Sequence, residues 1–417
     1  MNNRVDDHEL WLPYTQMQNH LPQLDVDYAR GSKIFLKNGE VLIDGISSWW
    51  SAAHGYSHPH IIEAMQSQLL KLPHIMLAGM QSEQTSRLAK RLTKKTGLYS
   101  CFFSDSGSVA IEVAMKIAWQ YFENIGQKNK KKFLSFKDSY HGDTTGAMSL
   151  ADLEGSMHSK YKGVLIDNCN VDIPENEDDL NQFEDFVKKN SHEIAALFIE
   201  PIVRCAGGMK FSNPEIYAKI AKIVKKYDIL LVVDECAVGF YRLGTDFAYN
   251  ICNIKPDIVA VGKALTGGAI SLAATIVSEE IFRSFLGSDL SKALMHGPTF
   301  MGNALACAAG NASLDLFEEI DYAGKVTLIE EKFKADLSLL SSKYERVKDV
   351  RVRGALAAIE TDFAQKDMFE LRKKFVQEGV FLRPFIGVIY VMPALNIAID
   401  ELSKINDSID SVLSKMS

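Results

Sequence analysis

Apolar and polar positions follow two rhythms along this chain, and the changes between them mark out its elements. Between about residues 83 and 280, stretches of helical periodicity take turns with short unbroken apolar runs. Three runs stand out: AALFIE at 195–200, ILLVVDE at 229–235 and DIVAVGK at 257–263. None alternates, which is how strands buried on both faces of a parallel sheet read. Each ends in a charged residue, Glu200, Glu235 or Lys263. In open α/β sheets the crevice lies outside the carboxyl ends of the strands, so these charges fall where a site is expected.

Upstream, DSGSVAIEVAMKIAWQYF at 105–122 places apolar residues 109, 113, 117 and 121 on one helix face, with Asp105 to Ser108 as its N-terminal cap. At 33–44, KIFLKNGEVLID reads as a hairpin, with Asn38-Gly39 the turn between alternating strands. From residue 314 onward, helical patterns (LFEEIDYAGKVTLIEEKF, 316–333; DMFELRKKFVQEG, 367–379) are separated by β-rich pieces such as VRVRGALAAIE, 350–360. The expected fold is α/β, with a large domain over 57–313 built on a mostly parallel sheet flanked by helices. A smaller α+β domain is expected from 1–56 together with 314–417.

Composition narrows the partners. The 417 residues are 47% hydrophobic and 24% charged, which fits a globular chain rather than a disordered or disulfide-dense one. A net charge of -7 provides no positive field to gather nucleic acid or a lipid surface. The basic run at 128–132 is expected to be a solvated loop. Six cysteines (101, 169, 205, 236, 252, 307) form no C-x-x-C pair and read as reduced thiols. No apolar leader or spanning stretch is visible, so the expected location is cytoplasmic. His54, His58 and His60 lack a metal-binding pattern around them, and there is no G-x-S-x-G elbow, so neither a metal site nor a serine hydrolase is expected.

The chemistry converges elsewhere. Lys263 sits between a buried strand and a turn, a costly place for an ammonium unless it is neutralised or bonded to a ligand, although single lysines there usually snorkel. Asp234 closes another strand as a candidate buried anion, or as a helix cap. Gly107 and Ser108 open a helix whose free N–H groups suit a phosphate. Tyr140 in SYHGDTTGAMS offers a flat face or ordinary core. Thr299 in HGPTFMGN offers a hydroxyl beside Gly297 and Pro298, or a plain turn.

Taken in order, DSGSVAIEVAMK, SYHGDTTGAMS, FIEPIV-x-x-AGGM, LLVVDE-x-A-x-GF-x-R-x-G, PDIVAVGKALTGG and HGPTFMGN resemble the class III aminotransferases of the pyridoxal-phosphate (PLP) fold type I superfamily. Further markers are WLPYTQM at 11–17, GISSWWSAAHGYSHP at 45–59, SMHSKYKG at 156–163 and FLRPFIGVIYVMPAL at 381–395. They resemble the branch that converts 8-amino-7-oxononanoate to 7,8-diaminononanoate in biotin biosynthesis. The resemblance implies that Lys263 bonds the PLP aldehyde and moves the proton, that Asp234 pairs with the ring nitrogen, and that Tyr140 stacks on the ring. Gly107 and Ser108 would bind phosphate, joined by Thr299 of a neighbouring subunit in a homodimer with shared sites. Tyr14, Trp49, Trp50, Tyr140 and Gly297 would wall the substrate pocket, Arg383 would grip the keto-acid carboxylate, and Arg242 would assist at the donor end.

S-adenosylmethionine is the implied amino donor, with lysine as rival. Aminotransfer from ornithine or 4-aminobutyrate, and a non-catalytic PLP-fold protein, are the alternatives. The chain departs from the family pattern at Arg204, Cys205, Cys236, Tyr241 and Leu243, which is expected to alter bulk and charge near the donor pocket.

Overall fold

A computed structural model of the chain describes residues 9–154 and 157–416. Ser156 of the SMHSKYKG segment, and the ends of the 1–56 and 314–417 segments, lie outside the described residues.

The three unalternated runs become neighbouring strands of a seven-stranded sheet. Its strands are β1 (Ser100–Ser104), β2 (Lys132–Phe136), β3 (Cys169–Val171), β4 (Ile194–Ile199), β5 (Leu230–Asp234), β6 (Ile258–Val261) and β7 (Ala273–Val277). They lie in the order β1-β7-β6-β5-β4-β2-β3. Only β7 runs against its neighbours; the other pairs are parallel. Every residue of β4, β6 and β7 is buried, because helices cover both faces and leave no solvent side to be polar. The helix Gly107–Asn124 starts from the Ser106 cap and lies along β7, β6 and β4 with its apolar stripe inward.

The hairpin forms as Lys33–Leu36 paired antiparallel with Val41–Asp44. Val380–Phe381 adds to it in parallel against Ile43 and Asp44, joining residues from opposite ends of the sequence in one sheet. Val347–Arg353, Leu356–Thr361 and Val388–Val391 make a separate antiparallel sheet. Among the described residues, no helix is long and apolar enough to cross a membrane.

Two expectations are corrected. The helical pattern at 316–333 is two helices, Ala304–Glu319 and Tyr322–Leu337. Ile320 is extended, and the Asp321 side chain accepts from Gly324 N to start the second helix. The basic run is not wholly solvated: Lys130 is only 6% exposed and donates to the carbonyls of Ser191, Ile194 and Asp228 at 2.9, 3.2 and 2.7 Å. Its Nζ also lies 4.7 Å from the Phe122 ring centre. Burial pulls this ammonium down to about 8.

Candidate active site

A cavity of about 180 Å³ opens at the carboxyl ends of β4, β5 and β6. Glu200, Asp234 and Lys263, which follow or close those strands, line it together with Trp50, Gly107, Ser108, Tyr140, His141 and Cys236. Beyond β6, Gly262 is extended and Lys263 takes a φ of 45°, a left-handed conformation that costs a non-glycine residue roughly 1–2 kcal/mol. The turn brings Lys263 Nζ to 4.5 Å from the Trp50 ring centre.

Asp234 is 7% exposed, and its Oδ2 lies 2.9 Å from His141 Nδ1 while Oδ1 accepts from Cys236 N at 3.0 Å. Burial pushes this carboxyl up, but the His141 hydrogen bond and charge outweigh it and hold the group below its ordinary value. Burial conversely opposes the His141 cation, and the bond to Asp234 overrides it, so His141 titrates above its usual range. Behind them burial pushes Glu200 up to about 7, although its oxygens accept from the backbone N–H groups of Tyr140 at 2.9 Å and Cys205 at 3.2 Å. The floor of the cavity therefore holds a buried anion, Asp234, supported from behind by an imidazole.

The cup at the head of the helix depends on close backbone approach. A Cβ on Gly142, whose φ is +127°, would sit 2.2 Å from the Ser108 Cβ, so only glycine lets this loop close against the helix start. Ser106 caps the helix through Val109 N, and its Oγ lies 3.2 Å from that of Ser108.

The aromatic wall rests on strain. Ser47, Ser48, Trp49 and Trp50 all have positive φ, between 42° and 74°, in one left-handed turn. The buried Asp44 carboxylate holds it by accepting from Ile46 N at 2.8 Å, Ser48 N at 3.0 Å and Tyr56 OH at 2.6 Å. Runs of this kind persist only where the surroundings over-determine them. Trp49 packs edge-on to Tyr14 at 5.9 Å, and the Arg383 guanidinium lies 4.5 Å from the Trp49 ring centre. Burial lowers the Arg383 pKa, and no carboxylate among the described residues pairs with it.

The residues present fit pyridoxal phosphate. A buried, ionised carboxylate suits a protonated ring nitrogen, a helix start with a glycine-walled cup suits a phosphate, and Tyr140 and Cys236 border the space between them. Lys263 presents the amine.

Some expected residues lie elsewhere. Arg242, expected at the donor end, is only 2% exposed; its Nη1 donates to Ala355 O at 3.2 Å and Pro393 O at 2.6 Å, and it does not line the cavity. It ties segments together, its Nη1 spent on those two carbonyls and its Nη2 on Ser47 Oγ at 3.5 Å. Gly297 and Thr299 lie exposed outside the cavity of this chain. Of the five departures only Cys236 lines the cavity: Tyr241 stacks on Phe317, Leu243 is in the core, Arg204 bonds Ser212, and Cys205 is buried. The expected change of bulk and charge at the pocket thus reduces to one thiol. Sequence reasoning passed over His141, Asp143, His158 and Asp44. The position of His141 beside Tyr140 in one motif was the available signal.

Residues 14–413 match the family model described as Aminotransferase class-III. The chain is 41% identical to the adenosylmethionine-8-amino-7-oxononanoate aminotransferase of Buchnera aphidicola subsp. Schizaphis graminum (strain Sg), covering 98% of this chain and 96% of that protein. A crystal structure of the same-named enzyme from Methanocaldococcus jannaschii DSM 2661 superposes with a TM-score of 0.92 at 32% identity, covering 98% and 97% of the two chains. An amine transaminase from an uncultivated Pseudomonas species, in its PLP-bound form, also gives 0.92, at 25% identity over the whole of both chains. The family match and the full-length relatives agree with the geometry around Lys263: the chain belongs to the class III aminotransferases.

Proposed function

We propose that this enzyme aminates the ketone of 8-amino-7-oxononanoate to give 7,8-diaminononanoate in biotin biosynthesis, with S-adenosylmethionine as amino donor. The observation that carries the proposal is the joint placement of Arg383 against Trp49, Trp49 against Tyr14 and Tyr14 against Tyr140 of the Lys263 cavity, with no carboxylate among the described residues paired to Arg383, within a chain whose full-length relatives carry that enzyme name.

Pyridoxal phosphate, when bound, supplies a carbonyl carbon that exchanges amines and a ring that takes up electrons as a proton leaves the neighbouring carbon. Asp234 keeps a proton on the facing ring nitrogen, because an anion held ionised in a buried site favours the cation opposite it. Gly107 and Ser108 anchor the phosphate at the helix start. The Lys263 amine would carry the proton between the donor's α-carbon and the cofactor's aldehyde carbon, and Tyr140 and Trp50 would limit water around it. Arg383 receives the acceptor's carboxylate through its planar fork, fixing which end of the chain reaches Lys263.

The same reading makes the protein a cytoplasmic homodimer in which Thr299 and Gly297 of one chain complete the site of the other; their exposure on one chain supports it. It also divides the chain into a larger body, 57–313, and a smaller one from 1–56 and 314–417, supported by the pairing of Val380 with Ile43. The test is a screen in which 8-amino-7-oxononanoate is incubated with each candidate donor and diaminononanoate is measured. Formation with S-adenosylmethionine supports the proposal; formation with lysine alone reassigns the donor. Turnover restricted to ornithine or 4-aminobutyrate removes it.

A further inference from the structure

Segment 157–163 has no chemistry assigned to it so far, yet its His158 packs against Tyr140, which lines the cavity. His158 is 4% exposed, and its Nε2 lies 3.1 Å from Asp143 Oδ1. Its ring lies nearly parallel to that of Tyr140, with centroids 5.8 Å apart and 25° between planes. The other Asp143 oxygen accepts from Tyr14 OH, and the Tyr14 and Tyr140 hydroxyl oxygens are 3.1 Å apart. The His158 bond, opposed by burial and reinforced by Tyr14, holds the Asp143 carboxyl below its ordinary value.

Proton directions follow from donor capacity. An ionised carboxylate only accepts, so His158 Nε2 carries a hydrogen, and the single hydroxyl proton of Tyr14 is committed to Asp143. Tyr14 oxygen is then the acceptor in its contact with Tyr140, and Tyr140 is the donor. With its proton turned toward Tyr14, Tyr140 has only lone pairs to offer the cavity it lines.

We propose that His158 is a positioning residue which, through Asp143 and Tyr14, fixes the Tyr140 hydroxyl as an acceptor, so that the cavity selects substrates carrying a primary ammonium beside the reacting carbonyl. This deepens the proposed function and rests on it for the identity of the substrate, whose 8-amino group adjoins the 7-ketone. His158 acts through Asp143 without touching the substrate. A glutamine at 158 keeps a donor for Asp143; a leucine does not.

The test compares binding of 8-amino-7-oxononanoate and 7-oxononanoate, which lacks the ammonium, to the holoenzyme. Trp49 and Trp50 border the site, so binding is read by tryptophan fluorescence whether or not either ligand is turned over. The wild type and His158→Gln are expected to favour the amino-bearing ligand. His158→Leu is expected to lose that preference by about tenfold, the scale of one hydrogen bond to a charged group. Tyr14→Phe breaks the same chain one link nearer and should lose it equally, which guards against a misfolded leucine variant. An unchanged preference in His158→Leu and Tyr14→Phe, a loss in His158→Gln matching the leucine variant, or no preference in the wild type would each overturn the proposal. If the wild type prefers the amino-bearing ligand but never aminates it, the substrate assignment fails while the role of His158 stands.

Discussion

Arg383 shows how far a single side chain's place decides its work. Two arginines were expected at the substrate, and they differ in their partners: Arg242 is buried and spends its Nη1 on Ala355 and Pro393 carbonyls, whereas Arg383 is half-buried against Trp49 with no carboxylate among the described residues paired to it. Arg383→Met is therefore expected to raise KM for the keto acid and lower kcat/KM by about 10- to 100-fold, the worth of a charge-assisted hydrogen bond. Steady-state kinetics with acceptor varied checks this, and an unchanged KM would contradict it. At this scale the sequence was readable wherever a residue ends a strand, because Lys263 and Asp234 announce themselves as charges following buried runs. His141 was readable only as the neighbour of Tyr140 in one motif, and Asp143 not at all, because their importance lies in the remote residues they face, Asp234 and Tyr14.

Elements deliver these residues through close approaches and caps. The loop carrying Tyr140 and His141 meets the helix Gly107–Asn124 only because Gly142 has no side chain. Gly142→Ala is expected to part the two and weaken cofactor retention by at least about tenfold, from strain of a few kcal/mol at a positive φ; dialysis followed by cofactor absorbance measures it. At the opposite end of the strands, Lys130 satisfies three carbonyls at the entry to β4 and β5, those of Ser191, Ile194 and Asp228. Lys130→Met keeps the stem but orphans them, and is expected to cost about 1–3 kcal/mol of stability in chemical denaturation while leaving turnover unchanged. Strand runs and the Asn38-Gly39 hairpin were legible because burial on two faces and a tight turn each leave a local signature. Lys130 was misread because a charge run looks solvated until the chain folds its middle member inward. The break at Ile320 was hidden because Asp321, a cap, sits inside a continuous helical period.

The whole molecule carries buried carboxyls whose cost depends on pH. Burial pushes Glu235 up to about 8, against the backbone N–H groups of Ala248 and Tyr249 that it accepts from. A carboxyl raised on folding binds more protons in the native state, so its contribution is complete below about 4.5 and is lost as pH rises through about 8. The thermal midpoint is thus expected to fall between about pH 4.5 and 8, and to fall less in Glu235→Gln; an equal fall in both proteins would contradict the assignment. The overall α/β plan could be anticipated, whereas the joining of residues 380–381 to the early hairpin depends on contacts too remote in sequence for any periodicity to reveal. All of this architecture converges on the amine of Lys263, and reductive trapping tests that most directly. Holoenzyme treated with borohydride, digested and mapped by mass spectrometry is predicted to carry the cofactor on the Lys263 peptide; cofactor mass on another residue, or on none, would contradict the account.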